Sequence, residues 1–169
     1  LCEKGGVGRE QSSRNWGWVR VARRDVREMP LMLESIKIWQ GLEKRTGRDV
    51  GFRKSGIVFP FASEGDRETY RHHHDRLQDF QVAGRMLSAQ EFKEMYPDLA
   101  IPVRGALYSP DDGRAEPQLA APAIAAAARS LGATIHLECA VRGLELTSGR
   151  VSGVVTERGT IVCGAAILA

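Results

Sequence analysis

Residues 118–169 constrain the fold more than any other part of this chain. Residues 118–131 form an alanine-rich run of helix formers, with Pro122 in its early part and Gly132 just beyond its end. Alanine has the highest helix propensity, and glycine readily takes the left-handed turn that closes a helix. The periodicity then switches from helical to alternating, placing Ile135, Leu137, Cys139 and Val141 on one face of an expected strand. Residues 144–147 and 151–157 flank Ser148-Gly149-Arg150 as a hairpin. Arg158-Gly159 then turns into Thr160-Ile161-Val162, and 165–169 reads as a further, apolar strand. A helix feeding a strand, a meander and a buried strand predicts an α/β layer with a small antiparallel appendage, α+β over the whole chain.

Upstream, residues 25–46 repeat Leu33, Ile36, Trp39 and Leu42 at helical spacing, with Gly47 as the stop. Residues 51–54 and 57–59, joined by Ser55-Gly56, predict a short strand pair. Residues 66–82 predict a charged surface helix with Tyr70, Leu77 and Phe80 roughly in phase. Ser88-Ala89-Gln90-Glu91 is a capping box for a short helix ending near Tyr96-Pro97. Residues 104–108 predict a strand running into a turn at 109–113. The chain opens on Leu1-Cys2-Glu3-Lys4, the tail of a strand, and closes inside an apolar one. A cut strand leaves backbone groups unpaired, so the chain is expected to be an incomplete piece.

Composition excludes several classes. A net charge of +3, from 24 basic and 21 acidic residues dispersed along the chain, does not predict a nucleic-acid partner. No apolar run reaches the roughly 18 residues that a membrane-spanning helix needs, and the first residues lack a signal-peptide pattern. Cys2, Cys139 and Cys163 are widely spaced with no CxxC pair, so free thiols in a reducing cytoplasm are expected.

The candidate sites each carry two readings. Gly5-Gly6-Val7-Gly8 has Gln11 where the dinucleotide fingerprint needs its third glycine, and is read as a turn after a strand. Glu3, at a strand end before a glycine turn, reads either as an acceptor for ribose hydroxyls or as an ordinary surface carboxylate. Residues 12–20, Ser-Ser-Arg-Asn-Trp-Gly-Trp-Val-Arg, read either as a phosphate-holding loop or as a helix cap followed by two core tryptophans. In the first case Gly17 would let a planar ring approach the backbone, and Trp16 and Trp18 would shelter it. His72-His73-His74 point in three directions on a helix with no acidic or cysteine partner at ligand spacing, and predict a solvated face rather than a metal site.

The order of these motifs resembles the FAD-dependent D-amino-acid oxidase superfamily, which includes glycine oxidases, sarcosine oxidases and D-amino-acid dehydrogenases. Leu1-Cys2-Glu3-Lys4 and Gln11-Ser12-Ser13-Arg14-Asn15-Trp16-Gly17 resemble that family's second strand and flavin-facing loop. Residues 29–46 with Gly51-Phe52-Arg53-Lys54-Ser55-Gly56-Ile57-Val58 resemble its entry into the substrate domain. Asp112-Gly113-Arg114-Ala115-Glu116-Pro117, through residue 133, resembles the return. The likeness is weakest over 62–108.

The resemblance implies a partial Rossmann-like FAD-binding domain over 1–24 and 116–169, with an inserted antiparallel-sheet-plus-helix substrate domain over 25–115. It implies that Glu3, with Lys4 beside it, meets the adenosine ribose. Ser12, Ser13, Arg14 and Asn15 would meet the pyrophosphate and ribityl chain, and Gly17 the flavin. Val141 would pair its backbone with the adenine edge, and Ala169 would approach the pyrophosphate. Arg14 or Arg20 would supply positive charge near the flavin, with Arg20 near the flavin or the substrate. The implied reaction is oxidation of a C–N bond of an amino acid or secondary amine by hydride transfer to flavin. A flavin-dependent 2-hydroxy-acid dehydrogenase and an inactive truncated fragment are the alternatives. The resemblance implies that the strand with the glycine fingerprint belongs before Leu1 and much of the substrate-carboxylate clamp after Ala169, so no catalytic residue is assigned and the chain alone is expected to bind FAD weakly.

Overall fold

The computed structural model describes residues 1–169, which divide into two compact units: Trp16–Glu116, and Leu1–Asn15 together with Pro117–Ala169. Residues 16–24, expected with the first and last segments, cluster with the middle of the chain instead.

The Trp16–Glu116 unit opens on strand β1 (Trp18–Val19). Asp25 caps the 3-10 turn Val26–Glu28 by accepting from Arg27 N at 2.9 Å, and this turn leads into helix α1 (Met29–Thr46). The apolar stripe of α1 has a physical consequence: Met29 and Ile36 are buried with Val21, Leu77 and Val82, and Leu33, Trp39 and Phe52 pack against them. Gly47 ends the helix, donating to Glu43 O at 2.8 Å.

Strand β2 (Ile57–Phe61) precedes helix α2 (Glu64–Gln78), capped by Ser63, whose hydroxyl accepts from Asp66 N at 3.1 Å. Strand β3 (Arg85–Ser88) runs directly into helix α3 (Ala89–Met95). Strand β4 (Gly105–Ser109) and the short β5 (Gly113–Arg114) complete the unit. The sheet order is β2-β4-β3, antiparallel throughout, with Phe59 opposite Leu107 and Leu87 opposite Ala106.

The strand alternation gives this sheet two buried faces. Phe59 and Leu107 point to one, where Met86 of β3 and Tyr70 of α2 cover them. Leu87 and Ala106 point to the other, where Phe92 and Tyr96 cover them. Each fully buried Leu or Phe side chain contributes about 1.5–3 kcal/mol of apolar transfer energy.

The expected hairpin around Ser55-Gly56 does not form. Ile57–Phe61 pairs with Gly105–Ser109, while Arg53 bridges Arg114 and Gly56 N donates to Asp112 O at 2.8 Å. The non-local pairing wins because it buries Phe59 and Phe61, which a two-residue local ladder would leave exposed.

In the second unit, residues 1–5 lie parallel to residues 134–139. Leu1 N donates to Thr134 O, His136 N to Leu1 O, Glu3 N to His136 O and Cys139 N to Glu3 O, all at 2.8–2.9 Å. Parallel strands need a crossover, and helix α4 (Pro117–Ser130) supplies it immediately before the second of the two. The 3-10 turn Gln11–Ser13 lies against α4. Gly8, at φ +69, passes so close to the helix that an added Cβ would stand 2.9 Å from the Ala121 Cβ.

A meander follows in the order β6-β7-β8, with β6 (Val141–Thr147), β7 (Arg150–Thr156) and β8 (Gly159–Val162). The alternation expected over 134–141 stops at the buried Cys139, and Val141 begins the new sheet. Residues 165–169 form no strand, because no segment of residues 1–169 lies alongside them as a ladder partner. Ile167 is 94% exposed and Leu168 77%.

Candidate functional site

Within the unit of residues 1–15 and 117–169, the chemistry gathers where the parallel strand pair ends. The Glu3 backbone is clamped on both sides, its N–H on His136 O and its carbonyl accepting from Cys139 N. The carboxylate is therefore delivered at the strand end, where Oε1 accepts from Gly5 N at 2.9 Å. A carboxylate accepts several bonds at once, so that single partner leaves capacity for a vicinal diol. Lys4, exposed, stands next in the chain. The Cys2 thiol beside it is pushed above its ordinary pKa, by burial first and by the neighbouring Cys139 second, which suits a packing role.

Two residues beyond Cys139, Val141 opens the edge strand of the meander. It stands opposite Thr156, and the flanking bond runs from Glu157 N to Ala140 O. That makes Val141–Thr156 a non-hydrogen-bonded pair, in which the backbone N–H and carbonyl of Val141 turn away from β7 toward the open edge. A donor and an acceptor side by side on one strand are what the edge of a purine needs. The Glu3 carbonyl bond to Cys139 N puts the Glu3 carboxylate and the Val141 backbone on hydrogen-bonded neighbouring segments.

The loop between Glu3 and Asn15 crosses α4 and ends in the 3-10 turn. Here Ser13 Oγ donates to Glu10 O at 3.2 Å, and Asn15 Nδ2 donates to Ser12 O at 2.9 Å and Gln11 O at 3.4 Å. The Asn15 side chain therefore braces the turn. Arg14 pairs with Glu10 at 3.6 Å with both side chains more than half exposed, a surface pair contributing at most about 1 kcal/mol, which an incoming anion can replace. Ala169 lies exposed outside any regular element.

In the Trp16–Glu116 unit, Gly17 is buried with φ +68, a conformation that disfavours any side chain, and its carbonyl accepts from Ala115 N at 2.8 Å. Of the two readings of residues 12–20, the one with core tryptophans does not hold: Trp16 is 83% exposed and Trp18 48%, with ring centroids 5.6 Å apart. The Arg20 guanidinium lies over the Trp18 ring at 5.6 Å and the Phe59 ring at 5.8 Å, and its Nη1 donates to Ala22 O at 2.5 Å. Burial, then the charge of Arg24, lowers its pKa from the ordinary guanidinium value.

Sequence reading missed Asp112. Its side chain is fully buried, Oδ1 accepting from Val21 N at 2.8 Å and Oδ2 from Ala22 N at 3.2 Å. Burial pushes its pKa up, against the lowering effect of those two backbone bonds. The Ser109 hydroxyl is buried nearby without a well-formed hydrogen bond. Asp112 therefore staples the 109–113 turn onto the segment that carries Arg20. The histidines do not form the solvated face expected of them: His72 is exposed, but His73 and His74 are half-buried, His73 Nε2 accepting from Arg23 N at 2.6 Å and His74 Nδ1 meeting Gln78 Nε2 at 3.2 Å.

A parallel bridge between Cys2 and His136, with a helix just before the second segment and a carboxylate one residue past the first, has the connectivity of a dinucleotide-binding α/β unit. The chain belongs to the family of FAD dependent oxidoreductases known as DAO, whose model matches residues 1–169. It is 30% identical to the 4-methylaminobutanoate oxidase (formaldehyde-forming) of Paenarthrobacter nicotinovorans over 100% of this chain and 21% of the oxidase. It is 28% identical to the sarcosine oxidase subunit beta of Rhizobium meliloti over 100% of this chain and 42% of that subunit. The L-amino acid deaminase of Proteus myxofaciens, solved in complex with anthranilate, superposes with a TM-score of 0.89 at 27% identity, covering 96% of this chain and 38% of that one. The chain thus spans less than half the length of each of these relatives. No helix of the structure is long and apolar enough to cross a membrane.

Proposed function

We propose that residues 1–15 and 117–169 hold the adenosine half of FAD. A polypeptide of full family length would then oxidise the C–N bond of an amino acid or N-methyl amino acid. The observation that carries this reading is that the Glu3 backbone is bonded to Cys139 N, two residues before the outward-turned backbone of Val141, with the Glu3 carboxylate bound only by Gly5 N. Glu3 accepts from the ribose hydroxyls, with Lys4 beside it, and Val141 meets the adenine edge. Ser12, Ser13 and Arg14 bind phosphate oxygens, Asn15 holds their turn in shape, and Ala169 approaches the pyrophosphate.

In this reading residues 25–115 are the substrate domain inserted into the FAD-binding one. Gly17 lets the flavin lie against the backbone, and Arg20 supplies positive charge to the ring or the substrate. FAD, when bound, supplies the acceptor for a hydride from the amine-bearing carbon. The imine left behind hydrolyses. Relatives named for a methylamino acid, for sarcosine and for L-amino acids favour an amine over a hydroxyl at that carbon.

The test is to purify the full-length polypeptide and assay amino acids, N-methyl amino acids and 2-hydroxy acids. A yellow protein that turns over the first two supports the proposal. A colourless protein refutes the flavin part, and a yellow one active only on 2-hydroxy acids refutes the substrate part.

A further inference from the structure

The turn that follows Arg20 is held by an unusual hydrogen bond. Arg23 is a non-glycine residue at φ +59, a left-handed conformation that L-residues rarely adopt. Its backbone N–H donates to His73 Nε2 on α2 at 2.6 Å. A backbone amide can only donate, so His73 Nε2 must carry a free lone pair for this bond to exist. The Arg23 side chain completes the attachment, lying 4.8 Å from the Tyr70 ring centroid of α2 and 5.5 Å from that of Phe59 on β2.

The charges around the ring are almost all of one sign. From the turn it faces Arg20, Arg23, Arg24 and Arg27, and from its own helix His74 and Arg76; Phe59 and Tyr70 add none. The carboxylate lining the same cleft, Asp25, is already taken by Arg27, whose backbone N–H and Nε donate to Oδ1 and whose Nη2 donates to Oδ2. Nearby Glu28 pairs with Arg24 at 2.7 Å. A proton on His73 would convert the acceptor into a donor and add a cation to this group without a free anion to receive it.

We propose that His73 is a proton-controlled clasp: neutral, it holds the Arg20–Arg24 turn on α2, and protonated, it lets that turn go. Burial and the surrounding guanidiniums lower the His73 pKa from its ordinary 6.5. A base whose folded pKa is depressed stabilises the fold fully above its unfolded value and loses that contribution as pH falls. The clasp is therefore closed at neutral pH and opens on acidification below about 6.5, the unperturbed imidazole value. Opening frees Arg23 from its left-handed conformation and loosens the segment carrying Arg20, while the Asp112 bonds still hold Val21 and Ala22.

The test reads the turn directly and needs no cofactor. In isotope-labelled chain, the His73 ring protons and the Arg23 amide are followed by NMR from pH 8 to pH 5, alongside His73→Gln, whose amide oxygen can accept but does not titrate. The expected result is an Arg23 amide that shifts and loses at least tenfold exchange protection, relative to its intrinsic rate at each pH, with the same midpoint as the ring. In His73→Gln that protection should stay flat across the range. An Arg23 amide indifferent to ring titration overturns the clasp, as does a His73→Gln amide that follows the native curve. If the variant does not fold, coincidence or non-coincidence of the two native midpoints decides.

Discussion

The two units bury their apolar residues very differently. Trp16–Glu116 encloses Phe59, Leu87, Phe92 and Leu107 between a sheet and the helices on its two faces, and Met29 and Leu77 in a further cluster against α1. The unit of residues 1–15 and 117–169 buries only Ala120, Ala123 and Cys139, while Leu1, Leu131, Ile167 and Leu168 stand 74–94% exposed. The first closes a core of its own. The second presents strand edges and a carboxylate at their end, so its order rests on backbone pairing more than on packed side chains. Large apolar residues carry energy only where neighbours enclose them.

The comparison can be broken most sharply by matched truncations. Leu107→Ala should cost about 2–5 kcal/mol in urea unfolding, because it empties a site enclosed by Phe59, Met86 and Tyr70. Ile167→Ala, an equally drastic change on paper, should stay within about 0.5 kcal/mol of the parent, as exposed substitutions do. Equal costs at the two positions would erase the distinction.

Asp112→Ala should come next, at roughly 2–4 kcal/mol, since it strands the buried N–H groups of Val21 and Ala22. Thermal unfolding with exchange of those two amides would check it: both should lose protection in the variant.

Ser88→Ala should have the smallest effect inside the packed unit, about 1 kcal/mol, by removing the α3 cap. Its partner Glu91 has a pKa held below the ordinary 4.5 by bonds from the Ser88 backbone and hydroxyl. That contribution is complete above 4.5 and is lost as pH falls through the depressed value, so the gap between the native and Ser88→Ala melting curves should narrow on acidification, leaving the loss of the Glu91 N to Ser88 Oγ cap.

The features readable in the sequence were those whose partners lie close in the chain. The Ser88–Glu91 box and the Gly47 stop each depend on residues a few positions apart and formed where the sequence put them, whereas the alternation after α4 ended two residues early because Val141 pairs with β7. Ser55-Gly56 misled because its turn signal is local while the real partner of Ile57–Phe61 is Gly105–Ser109. Residues 165–169 have strand composition but nothing in residues 1–169 to pair with. The bonds made by Asp112 and His73 were not legible, since each reaches backbone N–H groups about 90 and 50 residues away, and an amide looks the same under every side chain. At the candidate site, the strand end at Glu3 was legible and the outward turn of Val141 was not, because it depends on the pairing phase with Thr156.

The most direct test of the central claim is an FAD titration of the labelled chain, followed at each backbone amide by NMR. The account predicts weak, saturable shifts concentrated at residues 3–5, 12–15 and 141, abolished by Glu3→Ala while the rest of the spectrum is kept. Shifts confined to Trp16–Glu116, or a Glu3→Ala chain that responds like the native one, would contradict it.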